Sequence, residues 1–195
     1  MSIEKGIQIL TSHGFRDVAE LSSTEQVLTL DTKNKTLNYE YPTQILKYTS
    51  MLFFHLYSNQ WIKQIALNES VNILPFPINV HYSHETEIMQ LLASKEYHVC
   101  LEGNTFDNLS YEIADKIQQL SCTSGLFCVI QVTDLLNQRY SVEFPDSELQ
   151  ETRFLRDCTT QSVDSVAIST KYSNSVFICR KLTESFAYVP FMVKN

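Results

Sequence analysis

The sequence lacks a long apolar run. No segment approaches the roughly 20 consecutive apolar residues that a membrane-spanning helix needs. The first residues, MSIEKG, are also not the basic-then-apolar start of a signal peptide. We therefore expect a cytoplasmic (intracellular) protein without a membrane partner.

Runs of positive charge are absent as well. The 195 residues carry a formal net charge of −7, and nowhere do five Lys or Arg residues follow one another. The phosphate-neutralising surface of a nonspecific DNA-binding protein is therefore not evident, and a nucleic-acid partner would depend on a local patch. With 44% hydrophobic and 19% charged residues the chain is typical of globular proteins, and its length suits one domain with a modest insertion.

Cysteine pairs with metal-site spacing are missing too. An odd number of cysteines without CxxC spacing argues against a disulfide framework and against a cysteine-rich zinc site. His81 and His84, joined by His98 or Cys100, form the other conceivable metal set, but they straddle a predicted loop-to-helix boundary. We expect no metal and no cofactor, and mostly buried thiols. The cysteines are Cys100, Cys122, Cys128, Cys158 and Cys179.

Short β-type runs fill the first eighty residues. IQIL, QVLTL, TLNYEYPTQILKYT, MLFFHLYS and WIKQIAL are rich in β-branched and aromatic residues and are separated by polar turns such as TSHG and DTKNK. The Asp and Asn of the second turn favour a hairpin. This pattern is typical of an all-β structure, in which His13 lies in a turn and His55 in a strand.

The middle of the chain changes period. The prolines of ILPFPI interrupt the strand pattern, and SHETEIMQLLASKE then predicts a helix followed by the strand YHVCL. FDNLSYEIADKIQQL predicts a second helix, with Asp107 or Asn108 as its cap and Leu109 on its apolar face. LFCVIQV and RYSVEF predict two further strands. Residues 84–144 therefore indicate a compact α/β unit.

After a polar stretch, β-type runs return in SVAISTKY, SVFICRKL and FAYVPFMV. The fold class predicted is mainly β, with residues 1–78 and 150–195 forming one β-rich domain. Residues 79–149 form a small α/β insertion in it. The two ends of the chain are thus expected to fold together.

Both ends resemble a known family. The opening ILTSHGFRDVAELSSTEQVLTLD resembles the first block of inteins and other hedgehog/intein (Hint) domains, with a Gly-aromatic pair, a Leu closing a short turn and a Val-Leu-x-x-Asp strand. The close KYSNSVFICRKLTESFAYVPFMVKN resembles the last intein blocks and ends in Asn. The positions that match the first block are Gly14, Phe15, Val18, Leu21, Val27, Leu28 and Asp31.

The middle resembles a homing endonuclease of the LAGLIDADG type. NTFDNLSYEIADKIQQLSCTSGLFCVIQV matches the helix that follows the acidic motif in that family, and inteins carry such an endonuclease between their two Hint parts. The acidic motif itself is replaced by MQLLASKEYHVCLEGN. Because an in-line displacement needs metal ions held by carboxylates, we expect a remnant without DNA cleavage.

The resemblance places the first splicing nucleophile at Ser2. Since Met1 is the only residue before Ser2 in this sequence, we expect that there is no amino-terminal segment for Ser2 to transfer, and we interpret Ser2 as inert. The family's Thr-x-x-His motif aligns with ALNESVNIL, where Ala66 stands for Thr and Glu69 for His. An ionised carboxylate cannot donate a proton to a leaving amide. First-step catalysis is therefore expected to be lost or very weak.

The resemblance also gives roles to the end of the chain. Asn195 matches the Asn whose side-chain amide attacks its own carbonyl, while Lys194 replaces the assisting His and is protonated at neutral pH. Cys179 matches a position that contacts the amino-terminal junction in the family, and a buried strand thiol is the equally weighted alternative.

The functional hypothesis is a degenerate intein-like domain with at most residual Asn195 cyclisation. Its expected partners are the flanking segments of a host protein, if it belongs to a longer precursor; its oligomeric state is open. The alternatives are a non-catalytic binding or structural module of a phage or mobile-element protein and DNA binding through the insert.

Overall fold

The structure is a computed structural model that describes most of the chain. The described residues are 2–31, 34, 36–56, 65–67, 73–74, 101–102, 105–124, 127–144, 159–171, 175–183 and 185–194. The predicted helix at residues 83–96, most of the predicted strand YHVCL and the histidines His81, His84 and His98 lie outside them.

The described residues form mainly strands. In chain order these are β1 (Ser2–Glu4), β2 (Gln8–Thr11), β3 (Gly14–Asp17), β4 (Val27–Asp31), β5 (Thr36–Glu40), β6 (Gln44–Leu56), β7 (Ile65–Leu67), β8 (Ile73–Leu74), β9 (Leu101–Glu102), β10 (Thr105–Leu109), β11 (Val129–Asp134), β12 (Arg139–Glu143), β13 (Thr159–Ser169), β14 (Ser175–Leu182) and β15 (Ala187–Lys194). Helix α1 covers Tyr111–Thr123, and a short 3-10 helix covers Val18–Glu20. The β-rich fold class is confirmed.

The strands form two antiparallel sheets. One is a small closed barrel with the order β1-β13-β6-β7, and the other is an eleven-stranded sheet with the order β3-β2-β4-β14-β15-β11-β12-β10-β9. In the larger sheet β5 also pairs with β4, and β8 also pairs with β15. No described helix is both long enough and apolar enough to cross a membrane.

Strands from the two ends of the chain are neighbours in both sheets. In the barrel, Ile3 of β1 lies opposite Val166 of β13. In the larger sheet, β14 pairs with β2 and β4 on one edge and with β15 on the other, so that Cys179 lies opposite Ile9. The amino- and carboxy-terminal segments therefore fold as one body.

The strand β14 is buried on both faces. Phe177 and Cys179 pack in an apolar cluster with Ile3 and Ile168 from the barrel. The alternate residues on β14 pack on the other face against Cys122 of α1. Since successive side chains of a strand point to opposite faces, burial of both faces accounts for the unbroken apolar run at residues 176–179. Each fully buried large apolar side chain contributes roughly 1.5–3 kcal/mol.

Helix α1 begins later than the sequence predicts. Asp107 and Asn108 do not cap it, because both lie in β10, and Leu109 is buried as a strand residue. The cap is Ser110, whose Oγ accepts a hydrogen bond from the backbone N–H of Ile113 at 3.4 Å. The predicted periodicity was right from residue 113 onwards, but it extended into a strand whose buried residues fit the same spacing.

Other elements differ in extent rather than in type. The run TLNYEYPTQILKYT is divided into β5 and β6, with Pro42 between them. Strand β6 continues without interruption from KYT into MLFFHL, and passes Ser50 with φ 56°. His13 lies in a turn and His55 in β6, as predicted.

Candidate functional site

The strand that carries Ser2 lies beside the strand predicted to assist it. Ser2 begins β1 and is opposite Ala167 of β13. On the other edge of β1, Ile3 is opposite Leu67 of β7, the strand that contains Ala66. The structure therefore brings the first position of the chain next to the start of ALNESVNIL. Glu69 lies outside the described residues.

Of the two carboxy-terminal candidate residues, Lys194 lies at the end of β15. Lys194 is the last residue of that strand and is opposite Val176 of β14, whereas Ser2 belongs to the barrel sheet. Asn195 lies outside the described residues.

Cys179 lies in the middle of β14, away from the end of β15. It is opposite Phe191, three residues before Lys194, which corresponds to about 10 Å along the strand. Its side chain is completely buried, and burial raises the pKa of the thiol well above its ordinary value. Cys179 is therefore a protonated, apolar core residue in this structure.

The residue after Cys179 organises a buried polar cluster that was not predicted from the sequence. Arg180 is only 1% exposed. Its Nε donates to Oε1 of Gln8 at 2.7 Å, and its Nη2 donates to the hydroxyl of Tyr111 at 2.8 Å. Its Nη1 donates to Oε1 of Gln118 at 3.0 Å and also forms an ion pair with Asp115. We call these five side chains the Arg180 cluster.

Two aromatic rings lie against the guanidinium group. The Cζ atom of Arg180 is 4.0 Å from the ring centroid of Phe15 and 4.9 Å from that of Tyr188. A cation over an aromatic face is attracted by the ring quadrupole, and the attraction is stronger where water is excluded. Phe15 of β3 and Tyr188 of β15 therefore help to offset the cost of burying this charge.

The side-chain amide of Gln118 connects three elements. Its Oε1 accepts from Arg180, while its Nε2 donates to the backbone carbonyls of Cys128 and Tyr188, each at 3.0 Å. Both amide hydrogens are thus used, and this arrangement also fixes which end of the amide faces Arg180. A completely buried polar side chain is thus satisfied by β14, by β15 and by the residue that precedes β11.

Asp115 supplies the negative charge of the cluster. Its Oδ2 accepts a hydrogen bond from Nε2 of Gln119 at 2.6 Å, one turn further along α1. Gln119 in turn packs on Gly14, the first residue of β3, where φ is +99° and a Cβ atom would lie 2.8 Å from Nε2 of Gln119. Gln119 therefore reaches the amino-terminal hairpin at a residue whose positive φ favours glycine, and a side chain at this residue would displace the far end of Gln119.

Tyr111 is the group of the cluster whose pKa is clearly shifted. Burial raises the pKa of its hydroxyl to about 12, the positive charge of Arg180 lowers it, and Asp115 and Tyr188 raise it further. At neutral pH Tyr111 is therefore a neutral acceptor for Arg180. Arginine is always protonated in proteins, so that the cluster holds elements in place and does not transfer protons.

The sequence does contain weak signals for this cluster. Arg180 interrupts the apolar alternation of VFIC, and Tyr111, Asp115 and Gln118 share one face of the predicted helix through their spacing of four and three residues. Neither signal shows that the two sets meet. Among the described residues, no group of three His, Cys, Asp or Glu side chains could hold a metal ion.

Comparison with known proteins finds likenesses among solved structures but none in sequence. No family model matches the sequence, and no curated protein matches it. Among solved structures, the chain is similar to a linked, splice-inactive variant of the AceL NrdHF class 3 split intein, with a TM-score of 0.45 and 14% sequence identity. The match covers 100% of this chain and 97% of that chain.

Proposed function

We propose that the protein is a degenerate intein-like (Hint) domain. The observation that supports this most is the interleaving of the two ends of the chain, because β14 lies between β4 and β15 and β1 pairs with β13. A protein that joins its own flanking segments needs its first and last residues on a common framework. The matched blocks at residues 9–31 and 171–195 contribute most of those strands.

The replacements around the first junction support loss of splicing. Ser2 lies beside the strand of Ala66, which has no side-chain hydrogen-bonding group where the resemblance requires Thr. Glu69 takes the place of the assisting His. Without a donor to the leaving amide nitrogen, acyl transfer to the Ser2 hydroxyl lacks its general acid. The proposal therefore treats Ser2 as vestigial.

The residual activity proposed is cleavage after Asn195. In this step the side-chain amide nitrogen attacks the main-chain carbonyl carbon of Asn195, a succinimide ring forms, and the peptide bond to the next residue breaks to release a free amine. The amide nitrogen loses a proton, and the leaving amine gains one. Lys194 stands where the family has the assisting His and is a poor base at neutral pH, so that slow cleavage is expected.

The alternative is a binding or structural module without autoprocessing, for instance in a phage or mobile-element protein. The joint replacement at Ala66, Glu69 and Lys194 motivates this alternative. The division into residues 1–78, 79–149 and 150–195 and an endonuclease origin of the middle part stay predictions. DNA binding through that part predicts a salt-sensitive gel shift.

The test is a fusion of two reporter domains, one before Ser2 and one after Asn195. We expect mass spectrometry to show slow release of the carboxy-terminal reporter and no ligated reporter pair. The matched control is Asn195→Ala, which removes the attacking amide and should abolish release.

A second variant tests the assignment of the replaced positions. Lys194→His should accelerate release, because imidazole can accept a proton near neutral pH. Ligated reporters at a useful rate in the wild-type fusion would contradict the degenerate reading. Equal, zero release in the wild-type, Asn195→Ala and Lys194→His fusions would favour the non-catalytic module.

A further inference from the structure

The middle of the chain shares its sheet with the carboxy terminus. We refer to residues 105–143, which comprise β10, α1, β11 and β12, as the middle unit. Its strand β11 is hydrogen-bonded to β15, with Ile130 opposite Tyr188 and Gln131 opposite Ala187. Removing the middle unit would therefore expose one edge of β15 along this stretch.

The middle unit also completes the apolar core of the terminal segments. Cys122 of α1 is completely buried among apolar side chains that come from both ends of the chain. On the other face of the sheet, Val129 belongs to the cluster that contains Ile3 and Phe177. The partners of Cys122 in its cluster are Leu10, Leu28, Val176, Ile178 and Met192.

The buried charge of Arg180 makes the terminal segments depend on particular side chains of the middle unit. Arg180 belongs to the terminal segments, and the carboxylate that compensates it, Asp115, belongs to the middle unit. Two further oxygen acceptors, from Tyr111 and Gln118, come from the same helix. With α1 docked the guanidinium group is 1% exposed, and Gln8 is the one hydrogen-bond acceptor described for it that comes from the terminal segments. A helix that lacked Tyr111, Asp115 and Gln118 would bury Arg180 without compensation. An uncompensated buried charge is strongly unfavourable.

We infer that the sheet face around Gln8, Phe15, Arg180 and Tyr188 is an internal docking surface whose partner is helix α1, so that the middle unit and the terminal strands unfold together. The surface selects a helix that presents Tyr, Asp and Gln with spacings of four and three residues. Whatever the origin of residues 105–143, they are an obligatory part of the fold rather than an appended unit. This inference does not depend on splicing or cleavage.

Native-state hydrogen exchange of the full chain in low denaturant tests the inference without any substitution. We expect the backbone amides of Ala114 and Ile117 in α1 to exchange with the same opening free energy and denaturant dependence as those of Ile178 and Val189. If the helix opens at lower denaturant while β14 and β15 keep their protection, the inference is overturned.

A charge variant tests the part played by the ion pair. Asp115→Asn should accelerate exchange of both sets of amides by about 10- to 100-fold, since it leaves Arg180 uncompensated. The matched control is Glu112→Gln, which neutralises an exposed carboxylate in the first turn of the same helix and should accelerate both sets by no more than about 2- to 5-fold. The double variant Asp115→Leu with Arg180→Met removes both charges and should recover much of the protection.

The outcomes of the variants are distinct. Acceleration confined to the helix amides in Asp115→Asn would show a unit that opens independently, and would overturn the inference. An equal effect of Glu112→Gln and Asp115→Asn would show that the ion pair has no special part in docking. If Asp115→Asn does not fold, the exchange pattern of the wild-type chain decides the question.

Discussion

Gly14 lies so close to Gln119 that a Cβ atom at residue 14 would be 2.8 Å from Nε2 of Gln119. The same residue has φ +99°, a backbone conformation that disfavours any side chain. A side chain at residue 14 would therefore cost backbone strain and also displacement of Gln119. Gly6, which has a positive φ but no close neighbour, allows the two costs to be measured separately.

Gly14→Ala should lower the free energy of unfolding by about 2–3 kcal/mol, because it combines backbone strain with displacement of Gln119. Gly6→Ala is the control: Gly6 has φ +91° but nothing within 4 Å of its Cβ position, so that about 1 kcal/mol is expected. Urea denaturation measures both. Gly14→Ala combined with Gln119→Ala should recover part of the difference, and equal losses at the two glycines would contradict the close approach.

Ser110→Ala should destabilise the protein by about 1 kcal/mol, since it removes the acceptor for the Ile113 N–H at the start of α1. Asp107→Ala should change stability by less than about 0.5 kcal/mol, because Asp107 is exposed in β10 and does not cap the helix. Thermal unfolding followed by circular dichroism distinguishes the two variants. A larger loss of stability in Asp107→Ala than in Ser110→Ala would support the earlier start of α1 that the sequence predicts.

Three described thiols should resist alkylation in the folded protein. Cys122, Cys128 and Cys179 are completely buried. Burial raises the pKa of all three thiols. The pKa of Cys128 is raised to about 12, although a hydrogen bond with Ser121 and the charge of Arg180 both lower it. Because the thiolate is the reactive form, iodoacetamide at pH 8 should leave the three unmodified. Peptide mapping after labelling, with and without denaturant, checks this, and rapid labelling of Cys179 in the folded chain would contradict its place in the core.

The stability of the protein should fall as the pH rises from about 10 to about 12. The pKa of Tyr111 is raised from 10.0 to about 12, so that in this window the folded state binds a proton that the unfolded state has released. Below pH 10 both states are protonated, and this contribution is fully present. Because Tyr111 is only half-buried, we expect the loss to be about 1 kcal/mol.

Tyr111→Phe is the comparison variant for this pH dependence. It should be less stable at neutral pH by about 1 kcal/mol, through loss of the acceptor for Arg180, and its stability should fall less than that of the wild type between pH 10 and 12. Unfolding curves at matched pH values measure the difference. If the free energy of unfolding falls equally with pH in both proteins, groups other than Tyr111 cause the loss of stability at alkaline pH.

The strands could be predicted well because they are short and bounded by turn residues. IQIL, QVLTL, SVFICRKL and FAYVPFMV coincide with β2, β4, β14 and β15 to within one residue. SVAISTKY covers only the second half of β13, which begins at Thr159 in a stretch predicted to be polar and irregular. The start of α1 could not, because Phe106 and Leu109 are buried in a strand at a spacing that also suits a helix. Local periodicity does not distinguish the two cases.

The Arg180 cluster could not be predicted because its members are far apart in the chain. Gln8, Asp115 and Arg180 meet only once β2, α1 and β14 are in place. A sequence shows that Arg180 interrupts an apolar strand, but not that a carboxylate from another segment compensates it. Pairing between distant segments is also why the sequence did not indicate that Cys122 and Val129 share apolar clusters with the terminal strands.

The position of β14 between strands from the start of the chain affects how the protein is made. Its partners β2 and β4 leave the ribosome long before residues 175–182 are synthesised, and Ile3 of β1 waits equally long for Val166. Contacts of such high sequence separation form slowly, and a growing chain exposes its apolar strands meanwhile. Truncation even a few residues into β15 would therefore leave a nascent chain that aggregates rather than one that folds around a gap.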